Sequence, residues 1–141
     1  MLPPLRVLAA LALAASVSSC FLMRPMIQPP EPWTTESGLV IYDMVELEGE
    51  PVVPGDEVSV HYTASLHNGQ VFDTSRERGM PISYVAGAGQ VPAGFDEGVL
   101  GMVPGAVRRV LVPPHLAYGE AGIEGIVPPG ATIVFDIELL L

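Results

Sequence analysis

Residues 58–78 constrain the fold of this chain more than any other stretch. The first nine alternate between apolar and polar, as a half-buried β-strand does, and the apolar set is Val58, Val60, Tyr62, Ala64 and Leu66. Asn68-Gly69 follows, and this pair favours a tight hairpin because such a turn needs positive φ. The chain is therefore predicted to fold back and to bring Phe72 and Asp73 close to Tyr62.

The remaining apolar runs are short and are separated by turn residues. Fifteen glycines and fifteen prolines favour strands and turns over long helices. Further strands are predicted at residues 39–47, 82–85, 108–112 and 131–141. One helix is predicted at residues 91–102, with Pro92 near its start and apolar residues spaced to lie on a sheet; these are Phe95, Val99 and Met102. The pattern predicts an α+β fold, with an antiparallel β-sheet wrapped around one short α-helix.

The beginning of the chain has the pattern of a targeting segment. Residues 1–19 contain an apolar run too short to span a bilayer, followed by small residues. Val17-Ser18-Ser19-Cys20 resembles the lipobox of bacterial lipoproteins, which implies a cleaved signal peptide and a lipid on Cys20. The expected location is then the bacterial cell envelope, anchored to a membrane and facing the periplasm or exterior. An ordinary secretory signal with an incidental cysteine is the alternative.

Residues 20–37 are rich in proline and show no amphipathic period. They are predicted to form an extended tether between the lipid and a domain that spans residues 38–141. Trp33, the single tryptophan, lies in this segment. It is interpreted either as a residue folded onto the edge of the domain or as part of a peptide-binding surface.

Composition and motifs exclude several classes of function. The formal charge is −10 and the chain has no lysine, which disfavours nucleic-acid binding. The domain has no cysteine and no Gly-x-Ser-x-Gly motif for a nucleophile. The three histidines, His61, His67 and His115, lack the spacing of metal ligands. No cofactor is expected, and Asp96 and Glu97 are interpreted as a charged helix start. An apolar, ring-lined pocket for a peptide or small ligand remains.

Six motifs in order resemble the signatures of the FKBP-type peptidyl-prolyl cis-trans isomerases. They are Val60-His61-Tyr62-Thr63, Gly69-x-Val71-Phe72-Asp73-x-Ser75, Gly94-Phe95-Asp96-Glu97-Gly98, Ala117-Tyr118-Gly119, Ile126-Val127-Pro128-Pro129 and residues 131–140. The resemblance covers residues 38–141. It implies a sheet wrapped around a short helix, a groove that binds macrolides, and rotation of X–Pro bonds in proline-containing polypeptides. A monomer is expected.

The resemblance also implies a set of site residues. The catalytic set is Tyr62, Phe72, Asp73, Phe95, Tyr118 and Phe135, and the substrate-binding set is Ile82, Val91, Pro92, Ile126 and Val127. Phe95 is expected as the pocket floor, the Tyr118 hydroxyl as a hydrogen-bond donor, and Arg78 as the ion partner of Asp73. On burial grounds alone the phenylalanines are equally well explained as core, and Asp73 as a turn cap.

Two positions depart from the family pattern. Phe95 stands where the family usually has tryptophan. Pro92 stands where it usually has isoleucine or leucine, whose backbone N–H bonds a ligand carbonyl; proline has no N–H. The expectation is a working but weakened isomerase. The alternative is a non-catalytic lipoprotein that holds peptides in the same groove, as a chaperone or binding module.

Overall fold

In a computed structural model of the chain, residues 30–140 are described. They form a seven-stranded antiparallel sheet and one short α-helix, which confirms the predicted fold class. The elements are β1 (Trp33–Thr34), β2 (Val40–Val45), β3 (Glu57–Leu66), β4 (Val71–Thr74), β5 (Ile82–Val85), α1 (Ala93–Val99), β6 (Val107–Val112), a 3₁₀ turn (Pro114–Leu116) and β7 (Ile133–Leu139). The predicted signal peptide, Cys20 and the tether as far as residue 29 lie outside the described residues.

The sheet runs in the order β1-β2-β6-β7-β3-β4, and β5 pairs with the first half of β3. Strand β3 is the longest, and it lies between β7 on one side and the β4 and β5 strands on the other. It therefore organises the sheet, as the sequence pattern predicted. No helix among residues 30–140 is long and apolar enough to cross a membrane.

The predicted alternation in β3 is confirmed by burial. Its apolar residues Val58, Val60, Ala64 and Leu66 are buried, whereas Tyr62 is half-buried. The hairpin turn is also confirmed: Gly69 has φ of 95° and the Gln70 N–H donates to the Asn68 side chain. Positive φ is the conformation that favours glycine at this position.

Helix α1 is shorter than the predicted helix at both ends. Pro92 stands at the N-cap with extended backbone, and the chain leaves the helix at Leu100, before Gly101 with φ of 85°. The predicted buried face is confirmed, because Phe95, Val99 and Met102 are each at most 2% exposed. The apolar spacing identified the face of the helix but not its ends.

Two glycines allow α1 to approach strand β6 closely. A Cβ at Gly94 would lie 2.2 Å from Val112 Cγ1, and a Cβ at Gly98 would lie 3.0 Å from Val110 Cγ2. A Cβ at Gly94 would force the helix or Val112 to shift, and one at Gly98 would be tightly crowded. Phe95, between the two glycines, is thereby held deep against the inner face of the sheet.

The first strand is shorter than predicted and has an additional partner. The prediction was residues 39–47, whereas β2 spans Val40–Val45 with an irregular register after Asp43. Trp33 pairs with Ile41 in the short strand β1. Trp33 is therefore a residue of the domain edge, and the described end of the predicted tether pairs with the sheet.

Asp96 lies in the first turn of α1, as the predicted charged helix start implies, but it also holds a neighbouring segment in place. Asp96 is 7% exposed and accepts hydrogen bonds from the N–H groups of Gly87, at 2.6 Å, and Gly89, at 3.1 Å. The side chain of Gln90 also accepts the Val85 N–H at 2.9 Å. The 87–90 segment is therefore fastened to α1 and to β5.

Candidate functional site

A cluster of aromatic rings converges on Phe95. Its ring centroid lies 5.6 Å from that of Tyr62 and 5.0 Å from that of Phe135, both in edge-to-face geometry. Tyr84 contacts it from a third side at 5.9 Å. Edge-to-face pairs add stabilisation beyond the area that they bury. The cluster therefore forms a rigid apolar floor where β3, β5, β7 and α1 meet.

A small cleft of about 80 Å³ opens above this floor. The residues that line it are Tyr62, Asp73, Ile82, Val91, Pro92, Phe95, Tyr118 and Phe135. They come from six separate parts of the chain, which the sheet and helix bring together. All belong to the predicted site, and the small volume suits one ring or side chain rather than a whole peptide.

Three predicted site residues do not line this cleft. Phe72 is half-buried beside it, with its ring centroid 6.3 Å from that of Tyr118. Ile126 and Val127 line a larger depression of about 750 Å³ next to the β3–β4 turn. Ile126 is 49% exposed there, whereas Val127 is 3% exposed. The structure thus places these two beside the predicted pocket rather than in its wall.

The position of Ile126 follows from a tight loop. Backbone hydrogen bonds in both directions join Ile123 and Val127, at 2.9 and 2.8 Å. Gly122, with φ of 61°, passes so close that a Cβ there would lie 2.2 Å from the Val127 carbonyl oxygen. The loop therefore closes before Val127 and leaves Ile126 projecting from its tip.

The polar edge of the cleft is a three-residue network. The Tyr62 hydroxyl donates to one carboxylate oxygen of Asp73 at 2.5 Å, and Arg78 donates to the other at 2.6 Å. Arg78 also donates to the Tyr62 hydroxyl oxygen at 3.0 Å and lies 5.8 Å from the centroid of its ring. The predicted ion pair between Asp73 and Arg78 is present, and Asp73 is more than a turn cap.

The network sets the charge states at this edge. Burial of Tyr62, together with its hydrogen bond to Asp73, raises the pKa of its phenol. Burial alone would raise the pKa of Asp73, but the hydrogen bonds from Tyr62 and Arg78 outweigh it and hold the pKa below its usual value. The edge therefore carries a neutral phenol, a carboxylate and a guanidinium.

Tyr118 presents the remaining polar group of the cleft. Its hydroxyl has no hydrogen-bond partner among residues 30–140, and the residue is half-buried. Burial, and then the charge of Asp73, raises the pKa of Tyr118, so that the hydroxyl keeps its proton. A protonated hydroxyl without an internal acceptor can donate to a ligand carbonyl.

Tyr84 is a floor residue that the sequence analysis missed. It is 6% exposed and packs against Phe95, and its hydroxyl has no hydrogen-bond partner in the described part of the chain. Burial, followed by the nearby charge of Asp96, raises its pKa. A signal was available, because Tyr84 lies two residues after Ile82 and so shares its face of strand β5.

Residues 30–140 bring together no group of three or more potential metal ligands. Instead, His61 Nδ1 lies 2.9 Å from the Ser75 hydroxyl, and His115 Nε2 lies 3.1 Å from the Ser37 carbonyl oxygen. The chemistry that the cleft offers is thus apolar burial beside a few fixed hydrogen-bonding groups.

Comparison with known proteins identifies the class of protein that this fold and cleft represent. Residues 48–140 match the family described as FKBP-type peptidyl-prolyl cis-trans isomerase. The chain therefore belongs to this family of enzymes. All residues that line the cleft lie within the matched segment.

Relatives occur in bacteria and fungi. The chain is 45% identical over 103 residues to an FK506-binding protein of Neisseria meningitidis, covering 73% of this chain and 94% of that protein. It is 52% identical over 89 residues to the peptidyl-prolyl cis-trans isomerase FPR2 of Saccharomyces cerevisiae, covering 62% and 66%. The match to FK506-binding protein 2 of Yarrowia lipolytica, 51% over 86 residues, covers 61% of this chain and only 60% of that protein.

Solved structures show the same fold. AtFKBP13 superposes with a TM-score of 0.73 at 35% identity, covering 79% of this chain and 98% of that chain. FkpA from Escherichia coli superposes with a TM-score of 0.71, also at 35% identity, covering 92% of this chain and 57% of that one.

Proposed function

We propose that this domain catalyses cis–trans isomerisation of X–Pro bonds in proline-containing polypeptides. The observation that carries the proposal is the cleft itself: a ring-lined floor centred on Phe95, with one polar edge, inside the family-matched segment. Uncatalysed isomerisation takes tens to hundreds of seconds, which is slow enough to limit folding. The proposed role is assistance to protein folding.

The mechanism requires no nucleophile and no proton transfer. The barrier to rotation, about 18–20 kcal/mol, arises from amide resonance. The planar amide is more dipolar than the twisted one, so an apolar cleft that excludes water favours the twisted state. This is catalysis by preferential binding of the transition state. Lowering the barrier by about 7 kcal/mol would accelerate rotation by roughly five powers of ten.

Each polar residue has a separate task in this scheme. The Tyr118 hydroxyl donates to a substrate carbonyl and orients the bound peptide. Asp73, held by Arg78 and Tyr62, forms one polar wall of the cleft. Because both tyrosine pKa values are raised, neither phenol loses its proton near neutral pH.

The test is an isomerase assay of the full chain and two cleft variants on a proline-containing peptide. Phe72→Ala removes a ring beside Tyr118 and is expected to lower kcat/KM about tenfold or more. Tyr118→Phe removes one hydrogen-bond donor and is expected to lower it about threefold to tenfold. Tyr42→Phe, on strand β2 outside the cleft, is the matched control and should leave kcat/KM unchanged.

Wild-type catalysis equal to the uncatalysed background would overturn the proposed activity. It would favour the second candidate, a module that binds peptides in the same cleft without isomerising their X–Pro bonds. Pro92 is the observation that supports this candidate, because it lines the cleft and has no N–H to offer a ligand. In that case Phe72→Ala should weaken peptide binding although no isomerase activity is measured.

We also propose that the protein is anchored to a membrane of the bacterial cell envelope through a lipid on Cys20. The lipobox-like Val17-Ser18-Ser19-Cys20 supports this. Wild-type protein is expected to enter the detergent phase in a phase-separation assay, whereas Cys20→Ser should stay in the aqueous phase. Equal partitioning of the two proteins would refute the anchor, and Ser19→Ala, which keeps the cysteine, is the control.

A further inference from the structure

We infer that residues 33–38, here called the N-terminal strap, position helix α1 and the turn before Tyr118 and thereby hold the cleft in its working shape. The strap lies outside the family-matched segment, residues 48–140. The inference rests on the proposed function, since the cleft that the strap supports is the proposed isomerase site. Three independent contacts connect the strap to the elements that carry cleft residues.

The first contact is a chain of hydrogen bonds that ends on α1. The Leu39 N–H donates to the Thr35 hydroxyl at 3.1 Å, and that hydroxyl lies 2.9 Å from the Ser37 hydroxyl. Ser37 in turn lies 2.6 and 2.7 Å from the two carboxylate oxygens of Glu97. A carboxylate only accepts, so Ser37 donates to Glu97 and Thr35 donates to Ser37. Bonds to a charged acceptor are the stronger kind.

The position of Glu97 makes this contact relevant to the cleft. Glu97 lies two residues after Phe95 in a helix of seven residues. A helix this short has little stability of its own and takes its position from tertiary contacts. Ser37 therefore fixes the outer side of α1, while Gly94 and Gly98 fix its inner side against β6.

The second contact is at the C-terminal end of α1. Arg108 is 7% exposed and donates to the carbonyl oxygens of Gly98, at 2.9 Å, and Leu100, at 3.0 Å. Its guanidinium also donates to Asp43 at 2.7 Å. Trp33 completes the arrangement, because its indole N–H donates to the same carboxylate at 2.8 Å and its ring centroid lies 5.7 Å from the guanidinium carbon. Trp33 thus covers the cation that caps the helix.

The third contact reaches the turn that precedes Tyr118. His115 lies in the 3₁₀ turn Pro114–Leu116, and its Nε2 donates to the Ser37 carbonyl oxygen at 3.1 Å. Gly38 lies beside Pro113 and His115, and a Cβ there would be in van der Waals contact with both, at 3.7 and 3.9 Å. The Ser37 side chain therefore contacts α1, which carries the floor residue Phe95. The Ser37 carbonyl contacts the 3₁₀ turn that precedes Tyr118, the proposed hydroxyl donor of the cleft.

The test compares kcat/KM of the full chain with that of strap variants, under conditions in which every variant is more than about 99% folded. Ser37→Ala removes the donor to Glu97 and is expected to lower kcat/KM about threefold to tenfold, mainly through kcat. Ser37→Thr keeps the hydroxyl and should restore most of the activity. Glu36→Gln, an exposed neighbour in the same strap, is the control for a change of side chain without lost contacts.

A double-mutant cycle separates positioning from simple loss of stability. If Ser37 acts through Glu97, then Ser37→Ala combined with Glu97→Gln should lower kcat/KM no more than the larger single effect does. Additive losses, or a kcat/KM of Ser37→Ala within about twofold of wild type, would overturn the inference. So would a Ser37→Thr variant as impaired as Ser37→Ala.

A second measurement keeps this inference distinct from the proposed function. Hydrogen exchange of the backbone amides in residues 93–99 reports the local opening of α1 whether or not the domain is catalytic. Faster exchange in Ser37→Ala than in Glu36→Gln is expected. If wild type proves inactive, the proposed function fails, and unchanged exchange in Ser37→Ala then overturns the positioning of α1 by the strap as well.

Discussion

Among the residues that line the cleft, Pro92 is the one without a backbone N–H to offer a ligand. It occupies the N-cap of α1 with φ of −52° and ψ of 142°, and its carbonyl accepts the Asp96 N–H at 3.0 Å. These dihedrals are open to any L-residue, so the proline is not required by the backbone. Its effect is to leave one wall of the cleft without a backbone donor.

Restoring that donor should strengthen ligand binding. Pro92→Ile supplies an N–H beside the cleft and is expected to raise the affinity for the macrolide FK506 about threefold to tenfold, the effect of one added hydrogen bond. Titration calorimetry on the wild-type and variant chains measures it. Pro51→Ile, at an exposed loop position, is the control. Equal affinity of Pro92→Ile and wild type would show that the missing donor does not limit binding.

Among the elements, helix α1 does the most to shape the cleft. Its buried face carries Phe95, its two glycines set its distance from β6, and Asp96 fastens it to the 87–90 segment, which leads directly to Val91 and Pro92 of the cleft wall. The helix and the segment before it are therefore joined by two hydrogen bonds as well as by the chain. A displacement of the helix would change both the floor and the wall.

Close packing of α1 on β6 predicts a large cost for one added methyl group. Gly94→Ala places a Cβ 2.2 Å from Val112 Cγ1 and is expected to lower the free energy of unfolding by about 1–3 kcal/mol. Urea unfolding monitored by circular dichroism measures it. Val112→Ala removes the clashing methyl groups, so the double variant should be destabilised by less than the sum of the single changes. Strict additivity of the two changes would contradict the clash.

At the scale of the whole molecule, the formal net charge is −10, so the few positively charged side chains are structurally important. Among the described residues, four ion pairs each use one arginine: Arg76 with Glu138, Arg78 with Asp73, Arg108 with Asp43 and Arg109 with Asp136. The pair of Arg108 with Asp43 is the least exposed of these. Exposed pairs contribute little individually, so their main effect is to fix geometry at the cleft and along the sheet.

The lowered pKa of Asp73 predicts a pH dependence of global stability. A carboxyl group whose folded-state pKa is below its unfolded value, 3.8 here, binds protons more readily when unfolded. Its contribution to stability is therefore present above about pH 4 and is lost as the pH falls through the folded pKa. Asp73→Asn should be destabilised relative to wild type at about pH 7, and the difference should shrink in acid.

Urea unfolding of wild type and Asp73→Asn at several pH values measures this effect. The effect is expected to be modest, because the Asp73 side chain is 38% exposed and solvent screens its ion pair. Glu124→Gln, at an exposed position, controls for the loss of one negative charge. A destabilisation by Asp73→Asn that stays constant from neutral pH into strong acid would contradict the assigned pKa direction.

The features that could be predicted from the sequence are those set by side-chain periodicity or by turn residues within one short segment. The alternation of residues 58–66 gave the buried face of β3, and Asn68-Gly69 gave the hairpin that sets Asp73 beside Tyr62. The spacing of Phe95 and Val99 gave the packed face of α1. These features depend on neighbours within a few residues, so side-chain periodicity and turn chemistry suffice to predict them.

The tertiary structure alone decided which groups separated in the chain become partners. The sequence predicts Asp96 as a helix-start carboxylate, but only the fold brings the N–H groups of residues 87 and 89 to it. Val127 was placed in the cleft wall, but the closed loop before it directs it to the neighbouring depression. Ser37 reaches Glu97 across 60 residues of sequence. The physical reason is that burial and hydrogen bonding depend on distances in space, which packing of the whole sheet and helix sets and no local pattern records.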